Sequence, residues 1–319
     1  MTWLVTGGAG YIGAHVVRAM LQSGQDVVAL DDLSTGDPAR IPGAELVEGT
    51  VLDRALLDRV VKERAVTGVV HIAAKKQVAE SVAEPLHYYR ENVDGLLTLL
   101  EACRAGGVDR FVFSSSAATY GMPDVDLVTE ETPKEPMSPY GETKLVGEWL
   151  LNACAAAHGL RVMSMRYFNV AGAATPELGD PGIFNLVPLV FQALTAGRRP
   201  TVFGTDYPTP DGTCVRDYVH VADIAEAHLA AARALDDGAE GATYNIGRGA
   251  GSSVLEVIDV IGQVTGLDAT PELVDRRPGD PARVVAAVDK IRVGLGFEAR
   301  YDLTAMVESA WAGWQLRHP

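Results

Sequence analysis

Short apolar runs alternate with amphipathic stretches through the first half of the chain. Trp3–Thr6, Val27–Leu30, Glu45–Glu48, Val69–Ile72, Arg110–Ser114 and Arg161–Arg166 have the length and composition of strands. Between them, Tyr11–Gln22 places Ile12, Val16, Ala19 and Met20 at helical spacing. Further helices are predicted over Arg54–Arg64, about Leu86–Ala105, and Tyr140–His158. Strands of this kind alternating with helices define a parallel sheet covered on both faces. Right-handed crossovers then leave a doubly wound α/β fold as the natural topology.

After Tyr167 the pattern loosens. Ala171–Gly182 is rich in Gly, Pro and Ala, and Gly204–Gly212 is polar with two prolines. Helices near Leu186–Ala196, Ala222–Leu235, Val254–Thr265 and Leu303–Leu316 mix with short strands such as Thr201–Phe203. The expectation is a first domain over residues 1–170 and a smaller mixed α/β domain over 171–319, with some segments of the second returning to the first. No internal repeat or low-complexity segment interrupts this plan.

Composition narrows the partners. The 319 residues are 47% hydrophobic and 22% charged, as in an ordinary globular protein. A formal charge of −15 excludes a nucleic-acid partner, because phosphate backbones demand clustered Lys and Arg. A phosphate-bearing ligand must instead meet a locally positive pocket. Cys103, Cys154 and Cys214 are widely spaced and odd in number, so they read as reduced thiols rather than as a disulfide or metal framework. His71, His87 and His220 share no metal-ligand spacing, so no metal is expected. There is no run of about twenty apolar residues and no basic-then-apolar leader. The expected setting is the cytoplasm, away from any membrane.

Candidate chemistry begins at the first turn. Gly7, Gly10 and Gly13 lie between the first strand and first helix, in Thr6-Gly7-Gly8-Ala9-Gly10-Tyr11-Ile12-Gly13. Glycines so placed allow a tight turn, close approach to a pyrophosphate and helix–strand packing, while the helix N-terminus offers free N–H groups. Asp31, at the end of the second strand, is placed to accept hydrogen bonds from an adenosine ribose. Asp31 and Asp32 would repel a 2′-phosphate, and no arginine follows until Arg40, so NAD is favoured over NADP. Asp32 reads equally well as a solvated loop charge.

A second constellation follows. Ser138-Pro139 is a helix-start signal, and Tyr140 and Lys144 lie four apart on one face of the helix it opens. A free phenol titrates near 10. A nearby ammonium and a positive nicotinamide ring would both favour phenolate, making Tyr140 a usable base. Phe113-Ser114-Ser115-Ser116 runs off the carboxyl end of a strand, where ligands bind in such sheets. Ser116 is suited to hydrogen-bond the substrate hydroxyl, whereas Ser114 and Ser115 read as backbone-satisfying residues beside the nicotinamide.

With these motifs the chain resembles the extended short-chain dehydrogenase/reductase family, a Rossmann-fold group, and most closely its UDP-galactose 4-epimerase branch. The resemblance also rests on Arg166-Tyr167-Phe168-Asn169, on Asp206-Tyr207-Pro208-Thr209 with Asp211-Gly212-Thr213, and on Val215-Arg216-Asp217-Tyr218-Val219-His220-Val221. It implies that Tyr11, Ile12, Asp31, Ile72, Ala73, Lys76, Asn92, Tyr140, Lys144 and Phe168 line NAD. The cofactor set extends to Asp32, Thr50, Val51, Ala74, Ser114 and Tyr167. It implies a UDP-hexose site built from Ser116, Asn169, Asn185, Leu186, Val202, Phe203, Arg216, Tyr218, Arg277, Asp280 and Val284, with Arg216 and Arg277 neutralising the diphosphate.

Three departures stand out. Thr50 takes the place of an aspartate that usually faces adenine. The Asp32–Glu45 segment is short, and Val284 stands where a bulky tyrosine often limits the sugar pocket, which leaves room for a 2-acetamido group. The implied reaction oxidises C4 with permanently bound NAD, rotates the 4-keto sugar and reduces it on the other face. The alternatives are a 4,6-dehydratase or decarboxylase on the same fold, and a non-catalytic NAD sensor. Against dehydration, Ala117-Ala118 follows Ser116 where an Asp-Glu acid/base pair would be needed. The resemblance further implies a homodimer formed through two helices.

Overall fold

The computed structural model describes residues 1–277 and 279–318. Along the chain, β1 (Thr2–Thr6), α1 (Tyr11–Gln22), β2 (Asp26–Asp31), β3 (Glu45–Glu48), α2 (Arg54–Glu63) and β4 (Val66–His71) come first. Next are α3 (Val78–Ala83), α4 (Pro85–Tyr89), α5 (Gly95–Gly106), β5 (Arg110–Ser116), α6 (Pro139–His158), β6 (Arg161–Tyr167) and β7 (Asn169–Ala171). Then follow α7 (Leu186–Thr195), β8 (Thr201–Phe203), β9 (Val215–His220), α8 (Val221–Asp236), β10 (Ala242–Ile246) and β11 (Gly251–Ser253). The chain closes with α9 (Val254–Thr265), β12 (Glu272–Val274), β13 (Arg283–Val284), α10 (Asp289–Leu295) and α11 (Leu303–Arg317).

Seven parallel strands form the main sheet in the order β10-β6-β5-β4-β1-β2-β3. The doubly wound α/β architecture expected from the alternation is therefore present. Strand order reverses between β1 and β4, and it is outside the carboxyl ends of strands at such a point that ligands bind. Side chains of β1 alternate across the sheet, as the two-residue strand period requires. Trp3 and Val5 join the core with α1 and α8, and Leu4 the opposite core with α2 and α5.

The second half returns to this sheet. β10 adds its seventh strand beside β6, and α8 and α10 supply Ile224, Leu229, Leu235 and Ile291 to the core under α1. A smaller sheet is built on β9, which pairs with β11 and β13 along its first half and with β7 along its second. Its helices α7, α9 and α11 pack around Phe191, Ile258 and Trp314. A short parallel pair, β8 with β12, lies apart.

One expected element divides. The helix predicted over Leu86–Ala105 becomes α4, a π-helical stretch at Arg90–Asp94, and α5, with α3 preceding them. The wider π turn is the kind of irregularity that concentrates at functional sites. Here it carries Asn92 inward: its side-chain oxygen accepts from the Lys75 amide at 2.8 Å, and its nitrogen donates to Thr143 Oγ1 at 3.0 Å. Hydrophobic spacing alone does not reveal such a turn, because one extra residue leaves both flanking faces apolar.

Candidate active site

The glycine turn fits closely against its neighbours. A Cβ on Gly7, whose φ is +68°, would stand 2.7 Å from the Ala73 amide nitrogen, and one on Gly13 would collide with the Gly7 carbonyl oxygen. Ile72 and Ala73 both donate their amides to the Thr6 carbonyl at 3.1 Å, which holds the ends of β1 and β4 together. Helix α1 opens at Gly10 with no side-chain cap, so no side-chain acceptor competes for the N–H groups of its first turn. That cradle fits a dinucleotide pyrophosphate. Lys76 lies 5.8 Å above the Tyr11 ring, and the Tyr11 hydroxyl donates to the Gly172 carbonyl at 2.5 Å. Ala74 follows Ala73 along the same loop.

Asp31 is buried, and its two oxygens accept from the amides of Ala9 and Leu33, each at 2.9 Å. Those bonds fix the carboxylate at the end of β2 and leave lone pairs for ribose hydroxyls. Asp32 is exposed and caps the turn at Ser34 through Oδ1, which is the role of a loop charge. Arg40 is turned away, donating to the carbonyls of Leu178 and Gly179 at 2.8 and 3.0 Å. It is thus engaged elsewhere, which removes the nearest candidate for a 2′-phosphate and agrees with NAD. Thr50 Oγ1 accepts from the Leu52 amide at 3.2 Å and so helps to shape its own turn, and Val51 beside it is buried.

The chemical groups come together at the end of β5. Ser138 caps α6 through a bond from the Gly141 amide, with Pro139 at the first helical position, and this sets Tyr140 in the first turn. The Ser116 hydroxyl accepts from the Ala118 amide at 3.1 Å and lies near enough to the Tyr140 phenol to influence its titration. Lys144 is buried one turn on, its Nζ donating to the Ser114 carbonyl at 2.8 Å and lying 6.0 Å from the centre of the Tyr140 ring.

The electrostatics differ from expectation. Burial pushes the Tyr140 phenol above its ordinary pKa, and the neighbouring Ser116 hydroxyl offsets only part of this. Burial also lowers Lys144 to about 8. The protein's own groups therefore do not acidify the phenol, because the ammonium points at a carbonyl and both groups are desolvated. Acidification falls to the positive charge of a bound oxidised nicotinamide.

Ser114 and Ser115 do more than satisfy backbone. Ser114 Oγ lies 3.2 Å from His228 Nε2, whose ring is held at the Ile224 carbonyl and kept neutral by burial, which lowers it to about 4. The Ser115 hydroxyl donates to Glu148 at 2.5 Å. Tyr167 is buried against the His228 ring, their centres 5.8 Å apart. Phe168 packs with Tyr120, Val128, Val284 and Ala286.

The residues implied for UDP gather along β9 and its neighbours. Arg216 and Tyr218, two apart on β9, sit beside Val284 of β13 and Asn169 of β7 respectively. Arg216 donates to the Pro281 carbonyl at 2.7 Å and lies 3.7 Å from Asp280. The Arg277 guanidinium stacks 3.5 Å above the Phe203 ring, next to buried Val202. Asn185 precedes α7, which Leu186 opens, and its side chain reaches Asp180 at 3.3 Å. Sequence reasoning gave no separate role to Asp217. Buried between Arg216 and Tyr218, it accepts the amides of Arg248, Gly249 and Ala286, and burial raises it to about 6. Its place in the Arg216–Tyr218 run was the one available signal.

These features define a dinucleotide-dependent enzyme of the kind that moves a proton through a Ser–Tyr–Lys set while a nicotinamide carries hydride. The comparisons agree: the chain belongs to the NAD dependent epimerase/dehydratase family, whose profile matches residues 3–247. A UDP-glucose 4-epimerase from Azospirillum brasilense is 47% identical over 314 residues, covering 96% of this chain and 90% of the relative. A UDP-glucose 4-epimerase structure from Stenotrophomonas maltophila, described with bound NAD and formylated UDP-arabinopyranose, is 40% identical. It superposes with a TM-score of 0.96 and covers 100% of this chain and 99% of that one. The UDP-Glc/GlcNAc 4-epimerase of Campylobacter jejuni is 36% identical with a TM-score of 0.89, covering 98% and 99%.

Replacing Lys144 with Met tests the cost of the buried ammonium. Its pKa falls from 10.5 in the unfolded chain to about 8, so the unfolded chain binds more protons between those values and the penalty is full below pH 8. The charge penalty the variant escapes is up to about 3 kcal/mol at pH 7, set against the lost bond to the Ser114 carbonyl. That relief should shrink as pH rises from about 8 to 10.5 while turnover falls by roughly 100-fold or more. Thermal unfolding across pH checks it; a stability difference from the wild type that stays constant between pH 8 and 10.5 would refute this account of Lys144.

Proposed function

We propose that this protein interconverts UDP-galactose and UDP-glucose as an NAD-dependent 4-epimerase. The observation that carries the reading is the Ser116–Tyr140–Lys144 set beside a glycine cradle at the point where strand order reverses. When bound, NAD supplies the oxidising and reducing power at the sugar's C4. Tyr140 takes the C4 hydroxyl proton and later returns it, and Ser116 orients that oxygen. Lys144 holds the end of β5 and so fixes the turn of α6 that carries the phenol. Arg216 and Arg277 anchor the diphosphate, so the 4-keto sugar can turn about its linkage without leaving. Holding the reactants in one pocket supplies much of the acceleration. Dehydration is disfavoured because Ala117 and Ala118 follow Ser116, leaving no carboxyl pair there.

The range of sugars reads as wide. Val284 is small and packs in the wall formed by Phe168, Tyr120 and Val128, and that size supports acceptance of a 2-acetamido group. The Campylobacter relative described for both Glc and GlcNAc sugars is in keeping with this.

The protein reads as a homodimer. Large apolar side chains stand exposed on the mutually packed helices α3, α4 and α6: Val82 is 63% exposed, Leu86 81% and Trp149 62%. Exposed apolar surface of this kind marks association sites. Among the described residues no helix is long and apolar enough to cross a membrane. The free Cys103, Cys154 and Cys214 support a cytoplasmic setting.

Incubating the purified protein with UDP-galactose and no added NAD should yield UDP-glucose. A stable keto product would point to dehydration instead, and no product to a sensor. Tyr140→Phe is expected to lower kcat by about 100-fold or more, measured in the same assay. UDP-N-acetylgalactosamine should also turn over, and Val284→Tyr should reduce that turnover at least ~10-fold while sparing UDP-galactose. Equal losses on both sugars would remove Val284 from specificity. Light scattering should give a dimer that Leu86→Glu with Trp149→Glu converts to monomer; a wild-type monomer would contradict the assembly.

A further inference from the structure

A charged network lies directly beneath the reacting groups, and the chemistry above does not use it. Glu148 follows Lys144 by one turn of α6 and Tyr140 by two, on the same helical face. Its side chain is 4% exposed, as is that of Arg166 on β6. Arg166 grips both carboxylate oxygens of Glu148, Nε at 2.8 Å and Nη2 at 2.5 Å. Glu148 also accepts the Ser115 hydroxyl, and Ser115 is the register partner of Arg166 across β5 and β6. Three elements thus meet at one carboxylate.

The remaining side of the guanidinium faces the other flank of the catalytic serine. Arg166 Nη1 donates to the Tyr120 hydroxyl at 2.8 Å and to the Glu130 carbonyl at 3.2 Å. Tyr120 closes the single helical turn that follows Ser116, and its hydroxyl donates to Asn245 Oδ1 at 2.6 Å. Asn245 donates to the Val128 carbonyl, and Val128 is bonded to Val285 and packed with Val284. One ion pair therefore reaches from α6 through both neighbours of Ser116 to the wall of the sugar pocket.

Two fully buried charges are expensive to keep, and an apolar replacement of similar shape is often at least as stable. What an apolar pair cannot do is accept one hydroxyl, donate to another and fix the separation between them. We propose that the Glu148–Arg166 pair is a positioning unit for catalysis, which fixes Ser115 and Tyr120 on either side of Ser116 and so sets the approach of Ser116 to Tyr140. The kinetic readout of this role rests on the epimerase reading; the geometric readout does not.

The test is a double-mutant cycle. Arg166→Lys keeps the charge and loses the fork, and is expected to lower kcat about 100-fold while KM for UDP-galactose changes less than about threefold. In a Ser116→Ala background the same change should cost no more than about threefold, because the placement it supports is already gone. An equal loss in both backgrounds, or wild-type kcat for Arg166→Lys, would overturn the proposal. If Arg166→Lys fails to fold, Tyr120→Phe carries the same cycle, with an expected loss of about 10-fold. Crystal structures supply the second readout: Tyr120→Phe should shift the Ser116 hydroxyl relative to the Tyr140 phenol, and a separation unchanged from the wild type would refute the unit. If the wild-type protein epimerises no nucleotide sugar, the functional reading fails, and this structural comparison still decides the positioning role.

Discussion

Helix α6 is sewn to the carboxyl end of β5 by two buried rungs, and the site exists only because both hold. Lys144 reaches the Ser114 carbonyl, and the Ser115 hydroxyl reaches Glu148 one helical turn later. Consecutive strand residues point to opposite faces, so a backbone oxygen from one and a side chain from the next can both meet the same helix. Tyr140 and Ser116, both half-buried, follow at the ends of this seam, one in the first turn of α6 and one at the end of β5. Desolvation of the ammonium is the cost of the Lys144 rung.

The same seam explains why the second half of the chain must come back. Arg166 leads from β6 to Tyr120 and then to Asn245 on β10, the strand that extends the main sheet. β9 carries Arg216 and Tyr218, proposed to face the substrate, while Asp217 between them holds the Arg248, Gly249 and Ala286 amides. The second half of the chain is therefore registered against the main sheet by hydrogen bonds rather than by a flexible linker.

An acidic protein can still hold two anionic ligands because the local fields differ from the net charge. With −15 overall, the proposed binding draws on local features: uncapped helix N–H groups at Gly10, and the guanidinium groups of Arg216 and Arg277. Arg40 shows the opposite use of a cation: buried and committed to the carbonyls of residues 178 and 179, it clamps the two halves of the chain.

Much of this was legible in the chain. Strand and helix alternation pointed to the doubly wound sheet, and the spacing of Gly7, Gly10 and Gly13 with Asp31 marked the tight β1–α1 turn that the structure forms. Tyr140 and Lys144 were readable from the helical period, because local geometry places residues four apart on one face. What lay outside reach was decided by contacts distant in sequence. The π turn at Asn92, the pairing of Glu148 with Arg166 and the return of β10 each depend on a partner whose place is set only after the sheet closes. The same holds for the direction of the Tyr140 and Lys144 shifts. Residue types fix what a group can donate or accept, but burial is a property of everything packed around it, and that exists only in the folded chain.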